Sequence, residues 1–204
     1  MTESGAPLRD RSDAPGDAGP PAWPSVRLDR FDNRSFKRGR PRLTEALWLL
    51  CSVLFVRSGL HGSRLRVWCL RAFGARIGPG VVIKPHVTVK FPWRLTIGAY
   101  SWIGESVWID NLAEVNIGAH CCISQGSYFC TGSHDWSSET FDLITEQITV
   151  EDGAWICAKA CLGPGVRVGL GAVLGFASVA TIDLAAWTIY SSGHGMRARP
   201  RHRY

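Results

Sequence analysis

An aliphatic residue that returns at every sixth position constrains this chain more than any other feature. Ile77, Ile83 and Val89 open three such hexads, Ile97, Ile103 and Ile109 three more, and Ile117, Ile123 and Phe129 a third set. Val150, Ile156, Leu162, Val168 and Leu174 continue the run, which fades at Ala180. A small residue often follows four places on, as Ala160 after Ile156, Ala172 after Val168 and Ser178 after Leu174. A fixed six-residue period of this kind predicts a solenoid. Three hexads make one triangular coil, and residues one coil apart stack at about 4.8 Å, the spacing of neighbouring strands. Each face of the prism is then a parallel sheet. Glycine at the second hexad position (Gly78, Gly98, Gly104, Gly118, Gly163, Gly169, Gly175) is expected to supply unusual backbone angles at the corners.

The interruptions are as regular as the repeat. Val89 to Ile97 spans 8 residues, Ile109 to Ile117 spans 8, and Phe129 to Val150 spans 21, always after the third hexad. One corner is therefore modified in successive coils, and the longest insertion reads TGSHDWSSETFDLIT. Long insertions on a regular scaffold are where function gathers. This one carries His134, and imidazole is the side chain that most readily takes a proton from an alcohol at neutral pH. Read alone, His134 is more often an exposed surface histidine; its place on the longest insertion shifts the reading to a general base.

The rest of the chain supports a single folding unit. Residues 1–43, rich in Pro, Gly, Ser, Asp and Arg, read as a disordered basic tail. Residues 44–75 read as an amphipathic segment of two helices, with Thr44 as a cap and Gly59 and Gly62 as the break; Leu47, Leu50, Cys51, Leu54, Leu65, Trp68 and Cys69 recur at helical intervals. The apolar run Ala46 to Val56 is too short to span a bilayer, which takes about 20 residues. It is expected to pack on the solenoid or on a neighbouring subunit, with a second reading in which 44–75 lies on a membrane, Trp48 and Phe55 in the interface and Arg57, Arg64, Arg66 and Arg71 near headgroups. Residues 76–185 are the solenoid, with its loop at 130–149, and 186–204 form a C-terminal extension.

The formal net charge of +6 lies mainly in basic flanks, and no helical DNA-reading, zinc-finger or RNA-binding pattern accompanies it, which argues against nucleic acid. Anionic lipid or a phosphorylated ligand fits these arginines as well. Seven cysteines without a secretory signal predict free thiols in the cytoplasm, either in solution or at the inner surface of the membrane. No paired CxxC motif supports metal binding, and none is expected.

The strings WIGESVWIDNLAEVNIG, ISQGSYFCTGSHD, the FDLIT that closes the loop, and GAWICAKACLGPGVRVGLGAVLG carry a resemblance. Over about four fifths of its length the chain resembles the hexapeptide-repeat acetyltransferases, and among them the colanic-acid-biosynthesis type of O-acetyltransferase. The resemblance implies an all-β fold: a left-handed parallel β-helix of about five triangular coils preceded by helices, an exception to the right-handed crossover rule. It implies transfer of acetyl from acetyl-CoA to a carbohydrate hydroxyl, as in polysaccharide biosynthesis, by a homotrimer with active sites between subunits. Carried onto this sequence, His134 is the catalytic base and Asn111, one coil below, its catalytic companion. Asp110 and Asp135 are acceptor contacts, Asp135 also orienting the imidazole. Trp155, Ala158, Phe176, Ala177, Thr181 and Arg197 are coenzyme contacts, and the coil with Trp155, Ile156, Cys157 and Ala158 supplies the N–H that faces the thioester oxygen. Two departures bear on coenzyme binding. Thr181-Ile182-Asp183 lacks a lysine that relatives have at Ile182, and Gly193-His194-Gly195-Met196-Arg197 replaces a Gly-x-Pro-x-Arg/Lys pattern.

Three other readings share these residues. They are a non-catalytic scaffold or binding solenoid, an acyltransferase with a non-sugar acceptor or another acyl donor, and a zinc enzyme that would need His86, His120 and His134 to converge.

Overall fold

The computed structural model describes residues 26–60, 62–193 and 195–201, without the side chains of residues 192–197. The expected prism is present. One face stacks the strands Arg76–Ile77, Leu95–Ile97, Val115–Ile117, Ile148–Val150 and Arg167–Val168, all parallel. A second runs from Val82–Ile83 through Trp102–Ile103, Cys122–Ile123 and Trp155–Ile156 to Val173–Leu174, and a third from Thr88–Val89 to Val179–Ala180. The register follows the hexads: Ile83 over Ile103, Ile123 and Ile156, and Ile109 over Phe129. The first position of each hexad points inward, with Ile156, Leu162, Val168 and Leu174 all 0% exposed, and the small fifth-position residues Ala160 and Ala172 fill the gaps beside them. Burying each large aliphatic is worth about 1.5–3 kcal/mol, repeated up the column.

The repeat runs further than its sequence suggests. Ala180 is fully buried and pairs in register with Leu162, and Leu184 bridges to Val168. A hairpin of Thr188–Gly193 and Gly195–Pro200 then joins the second face, so a partial sixth turn closes that end of the prism.

The expectation about the corner glycines is corrected. The left-handed backbone angles lie at the fourth hexad position, as at His86 (φ 61), Tyr100 (φ 58), Lys159 (φ 57) and Ala177 (φ 51), and not at the second. Second-position glycines answer a different need: a Cβ on Gly98 would lie 2.4 Å from the Ala119 nitrogen of the next coil, and one on Gly104 would lie 2.5 Å from Gln125 N. The coils are too close there for any side chain.

The helices are α1 (Arg42–Cys51), which continues into a π-helical turn at Ser52–Val56, and α2 (Ser63–Ala72). α1 begins after Pro41 rather than at a Thr44 cap. Trp48 turns inward, 4% exposed, and its Nε1 donates to the Val89 carbonyl at 3.0 Å, so it is a core residue and not an interfacial one. Arg66 is buried as well: its guanidinium donates to the carbonyls of Val56, Ile83 and Ser58 at 3.1, 3.3 and 2.8 Å and staples the helices to the first coil. Arg71 also reaches the Ile77 carbonyl, at 2.6 Å, but remains exposed, so of the two only Arg66 is withdrawn from the surface. The outer side of α1 and of the turn that continues it is apolar, with Leu43, Leu47, Leu50 and Leu54 all at least half exposed. Of the 1–43 tail, residues 1–25 lie outside the described residues. From Val26 onward the chain packs on the solenoid, the Arg27 N–H donating to the Glu139 carbonyl at 2.8 Å and Arg30 pairing with the Glu139 carboxylate at 2.5 Å.

Candidate active site

The long insertion is a hairpin arm. Gly132–His134 runs antiparallel to Leu143–Thr145, with His134 opposite Leu143. Thr131 roots the arm in the coil below: its Oγ1 donates to the Asp110 carbonyl and accepts from the Ala113 N–H, each at 2.9 Å.

His134 is half-buried and held from two sides. Its ring stacks on Phe141, centroids 4.3 Å apart and planes within 3°, and meets the edge of Phe31 at 5.4 Å. Its Nδ1 lies 2.8 Å from the Phe141 carbonyl oxygen. A carbonyl only accepts, so Nδ1 carries the proton and Nε2 keeps its lone pair. Phe141 holds a left-handed φ of 52°, a conformation that costs a non-glycine residue about 1–2 kcal/mol and that here serves the arm's return. Beside the imidazole is a cavity of about 250 Å³ lined by Phe31, Asn33, Arg38, Lys90 and Leu143 among others.

The other sequence-predicted residues divide. Asn111 does not line the cavity at His134. It is 0% exposed, its Oδ1 accepts from the Phe91 N–H at 2.9 Å, and its Nδ2 donates to the Phe91 carbonyl at 2.7 Å. Each end of the amide thus bonds the coil beneath, so within one chain Asn111 does structural work. Asp135 does not orient the imidazole either. Its Oδ1 accepts from the Ser137 N–H at 2.9 Å and the Ser137 hydroxyl at 2.5 Å, bonds that hold its carboxyl below the ordinary range and engage it in the arm's tip. Asp110 is better placed, next to the cavity: Lys90 Nζ lies 3.0 Å from its Oδ1, and the Tyr128 hydroxyl donates to its Oδ2 at 3.4 Å. Burial pushes the Tyr128 phenol well above its usual value, so it remains a donor.

The coenzyme residues lie elsewhere on the prism. Trp155, 45% exposed on the second face, donates from Nε1 to the Ser124 hydroxyl at 2.9 Å. Phe176, 67% exposed, and Ala177 occupy the corner between the second and third faces, where the Ala177 N–H is taken by the Ala158 carbonyl at 2.9 Å. Cys157 N–H is likewise spent, on the Leu174 carbonyl at 2.9 Å, while the Ala158 N–H has no backbone partner among the described residues. Thr181 is exposed beside Ile182, and the Arg197 side chain lies outside the described residues. Within one chain, none of these residues lines the cavity at His134. Within one chain His86 and His120 occupy different corners from His134, and no cluster of three metal-ligating side chains occurs among the described residues.

Sequence reasoning missed Phe31, Phe141 and Lys90. Phe31 belongs to a segment whose composition reads as disorder, and Phe141 acts through its backbone carbonyl, to which residue type gives no clue.

No family model matches the chain. It is 39% identical over 142 residues to the Escherichia coli (strain K12) protein named as the colanic acid biosynthesis acetyltransferase WcaF, a match that spans 70% of this chain and 78% of that one. Among solved structures, the hexapeptide-repeat acetyltransferase VCA0836 of Vibrio cholerae O1 biovar eltor, complexed with acetyl coenzyme A, superposes with a TM-score of 0.73 at 21% identity, covering 88% of this chain and 97% of that one. A galactoside acetyltransferase in complex with coenzyme A gives 0.70 at 18% identity, over 78% and 81% of the two chains. At these identities the two structures speak for the fold, and the WcaF match speaks for kinship: the chain belongs to the hexapeptide-repeat acetyltransferases of the colanic acid biosynthesis type.

Proposed function

We propose that this chain is an acetyl-CoA-dependent O-acetyltransferase acting on a carbohydrate hydroxyl, with His134 as its general base. The observation that carries this reading is the 2.8 Å bond from His134 Nδ1 to the Phe141 carbonyl. It fixes the tautomer in which Nε2 accepts a proton, and the Phe141 ring fixes the plane of the imidazole. A hydroxyl in the adjoining cavity loses its proton to Nε2 as it attacks the thioester carbonyl, and as the C–S bond breaks the imidazolium returns that proton to the departing coenzyme thiolate. The unspent Ala158 N–H, supplied by a neighbouring subunit, is suited to face the oxygen that gathers charge. The relatives' names and bound coenzymes support acetyl-CoA as the donor.

The separation of His134 from Trp155, Phe176 and Ala177 within one chain supports a homotrimer in which one subunit gives the base and the next the coenzyme groove. The leucine side of α1 supports peripheral contact with a membrane surface through residues 44–75; no helix among the described residues is long and apolar enough to cross one.

The test is CoA release measured with a thiol reagent over a panel of glycans and sugar nucleotides. Acetyl transfer is expected on at least one carbohydrate, and His134→Ala should lower it by roughly 10²-fold or more while leaving the melting profile intact. Equal turnover by that variant would remove His134 from the mechanism. No release with any acceptor would leave the scaffold reading, whose best support is Ile182, 62% exposed where relatives carry a lysine.

A further inference from the structure

The cavity beside His134, about 250 Å³, is smaller than the roughly 300–1,000 Å³ of an ordinary ligand site, so an acceptor seated there extends beyond it. Next to it a groove of about 590 Å³ opens between α1 and the third face, and the two share Arg38, Lys90 and Phe91 in their walls. Charges in the middle of the groove balance: Arg38 Nη1 lies 2.8 Å from Glu45 Oε2, and Lys90 Nζ lies 3.0 Å from Asp110 Oδ1. Arg42 and Arg57 also line it, but they stand at opposite ends of the helix that runs from Arg42 to Val56, about 20 Å apart along its axis, and do not act on one group. What the middle of the groove lacks is donors. Glu45 Oε1 and Asp110 Oδ1 are buried, and neither has a hydrogen-bond partner among the described residues, Lys90 balancing the charge of Asp110 without bonding in line with it. A buried oxygen left without a donor is costly, and the terminal carboxylate torsion is soft enough to turn it into the groove. Trp108, half exposed and packed against Tyr128 with ring centroids 4.8 Å apart, adds a flat apolar wall.

Resting on the acetyltransferase reading, we infer that this groove is a subsite for an uncharged sugar residue next to the one that is acetylated. Its hydroxyls donate to Glu45 Oε1 and Asp110 Oδ1, the C–H face of its ring lies on Trp108, and the neighbouring residue of the same acceptor presents its hydroxyl to His134. Ionised carboxylates only accept, so the ligand has to bring O–H or N–H donors, and bonds of this charge-assisted kind are the stronger ones. A uronate set in the same place turns its own negative charge on two carboxylates. An ammonium sugar brings donors but adds a positive charge where Arg38 and Lys90 already neutralise both acids. Hydroxyls supply donors and no charge. The acceptor is therefore at least a disaccharide, and Glu45 and Trp108 are specificity-determining residues for its second ring.

Binding of the full chain to an array of neutral, amino and acidic mono-, di- and trisaccharides reads this without turnover, followed by calorimetry on the best disaccharide and the methyl glycosides of its two components. The disaccharide should bind roughly ten- to hundredfold more tightly than either component, the size of effect expected of hydrogen bonds to charged groups. Glu45→Ala and Trp108→Ala, each checked by thermal melting, should erase most of that gain while leaving the affinity for at least one component unchanged, a split that a general loosening of the fold does not produce. Trp108 is on the surface of the third face, so its variant carries the test if Glu45→Ala does not fold. Monosaccharides binding as well as disaccharides, a preference for acidic or amino rings, no binding anywhere on the array, or a gain that survives in either folded variant would overturn the inference. Disaccharide-dependent binding with no CoA release on any sugar would sink the acetyltransferase reading alone. CoA release at equal acceptor KM for monosaccharide and disaccharide would sink the subsite alone.

Discussion

Asn111 closes a two-bond ring with the Phe91 backbone inside the modified corner, and the Thr131 hydroxyl does comparable work one coil further on. Replacing Asn111 by Ala leaves a buried N–H and a buried carbonyl of Phe91 without partners, at a cost of about 1–3 kcal/mol each. Urea unfolding of Asn111→Ala should show that loss, and a variant as stable as the parent chain would return Asn111 to the site. Phe91, Asn111 and Thr131 recur at the coil period, two places after the residue that opens the third hexad, and a column of that kind is written in the sequence. What residue types cannot convey is that the column points inward. Cys121 gives a second test. It is 2% exposed, and burial pushes its thiol up to about 11. An unfolded thiol ionises near ~8.5, so above that pH the unfolded chain sheds its proton first, and the thiol's contribution to stability falls until Cys121 itself ionises. Urea midpoints should therefore drop between pH 8 and 10.5 more steeply for the parent chain than for Cys121→Ala, a change the site tolerates because Ala154, Ala160 and Ala172 fill the equivalent position. Parallel pH profiles would refute the assignment.

The coil as an element has two kinds of glycine, and they fail differently. At Gly98 an added methyl lands 2.4 Å from the backbone of the next coil, and nothing there can give way except the stacking itself. At Gly126 the backbone is left-handed, φ 66, but the nearest atom to an added methyl is the flexible Lys159 Cγ at 3.6 Å. Gly126→Ala should cost about 1–2 kcal/mol, the penalty of the conformation alone. Gly98→Ala should cost clearly more, and equal thermal shifts for the two variants would show that stacking does not impose the glycine. The six-residue period, the three faces and the modified corner were all legible, because a solenoid writes each contact into a fixed sequence offset. The reason for the second-position glycines was not, because it arises between coils rather than within one. The arm's shape was hidden likewise: its strands pair with each other, and no hexad period continues through them.

Among the described residues the corner near Phe176 and the leucine side of α1 are both exposed apolar surfaces. If neighbouring subunits complete the first, analytical ultracentrifugation should give a trimer, and a monomer with full activity would defeat the shared-site arrangement. If α1 rests on an anionic bilayer, the chain should sediment with phosphatidylglycerol vesicles and less with phosphatidylcholine, and Leu47→Glu with Leu54→Glu should abolish the difference. Retention of binding by that double variant would exclude α1 as the contact. The sequence by itself determined the solenoid, its register, its broken corner and the histidine on the longest break, because hydrophobic burial in a repeating coil acts at a constant spacing. Only the tertiary structure decided what the neighbours of that histidine are. Phe31 comes from the N-terminal segment, Lys90 from two coils below and the Phe141 carbonyl from the far strand of the arm, and the same stacking turned Asn111 into the core. Contacts between segments so distant in sequence leave no periodic trace, since they depend on where separate elements dock and not on the order of residues along any one of them.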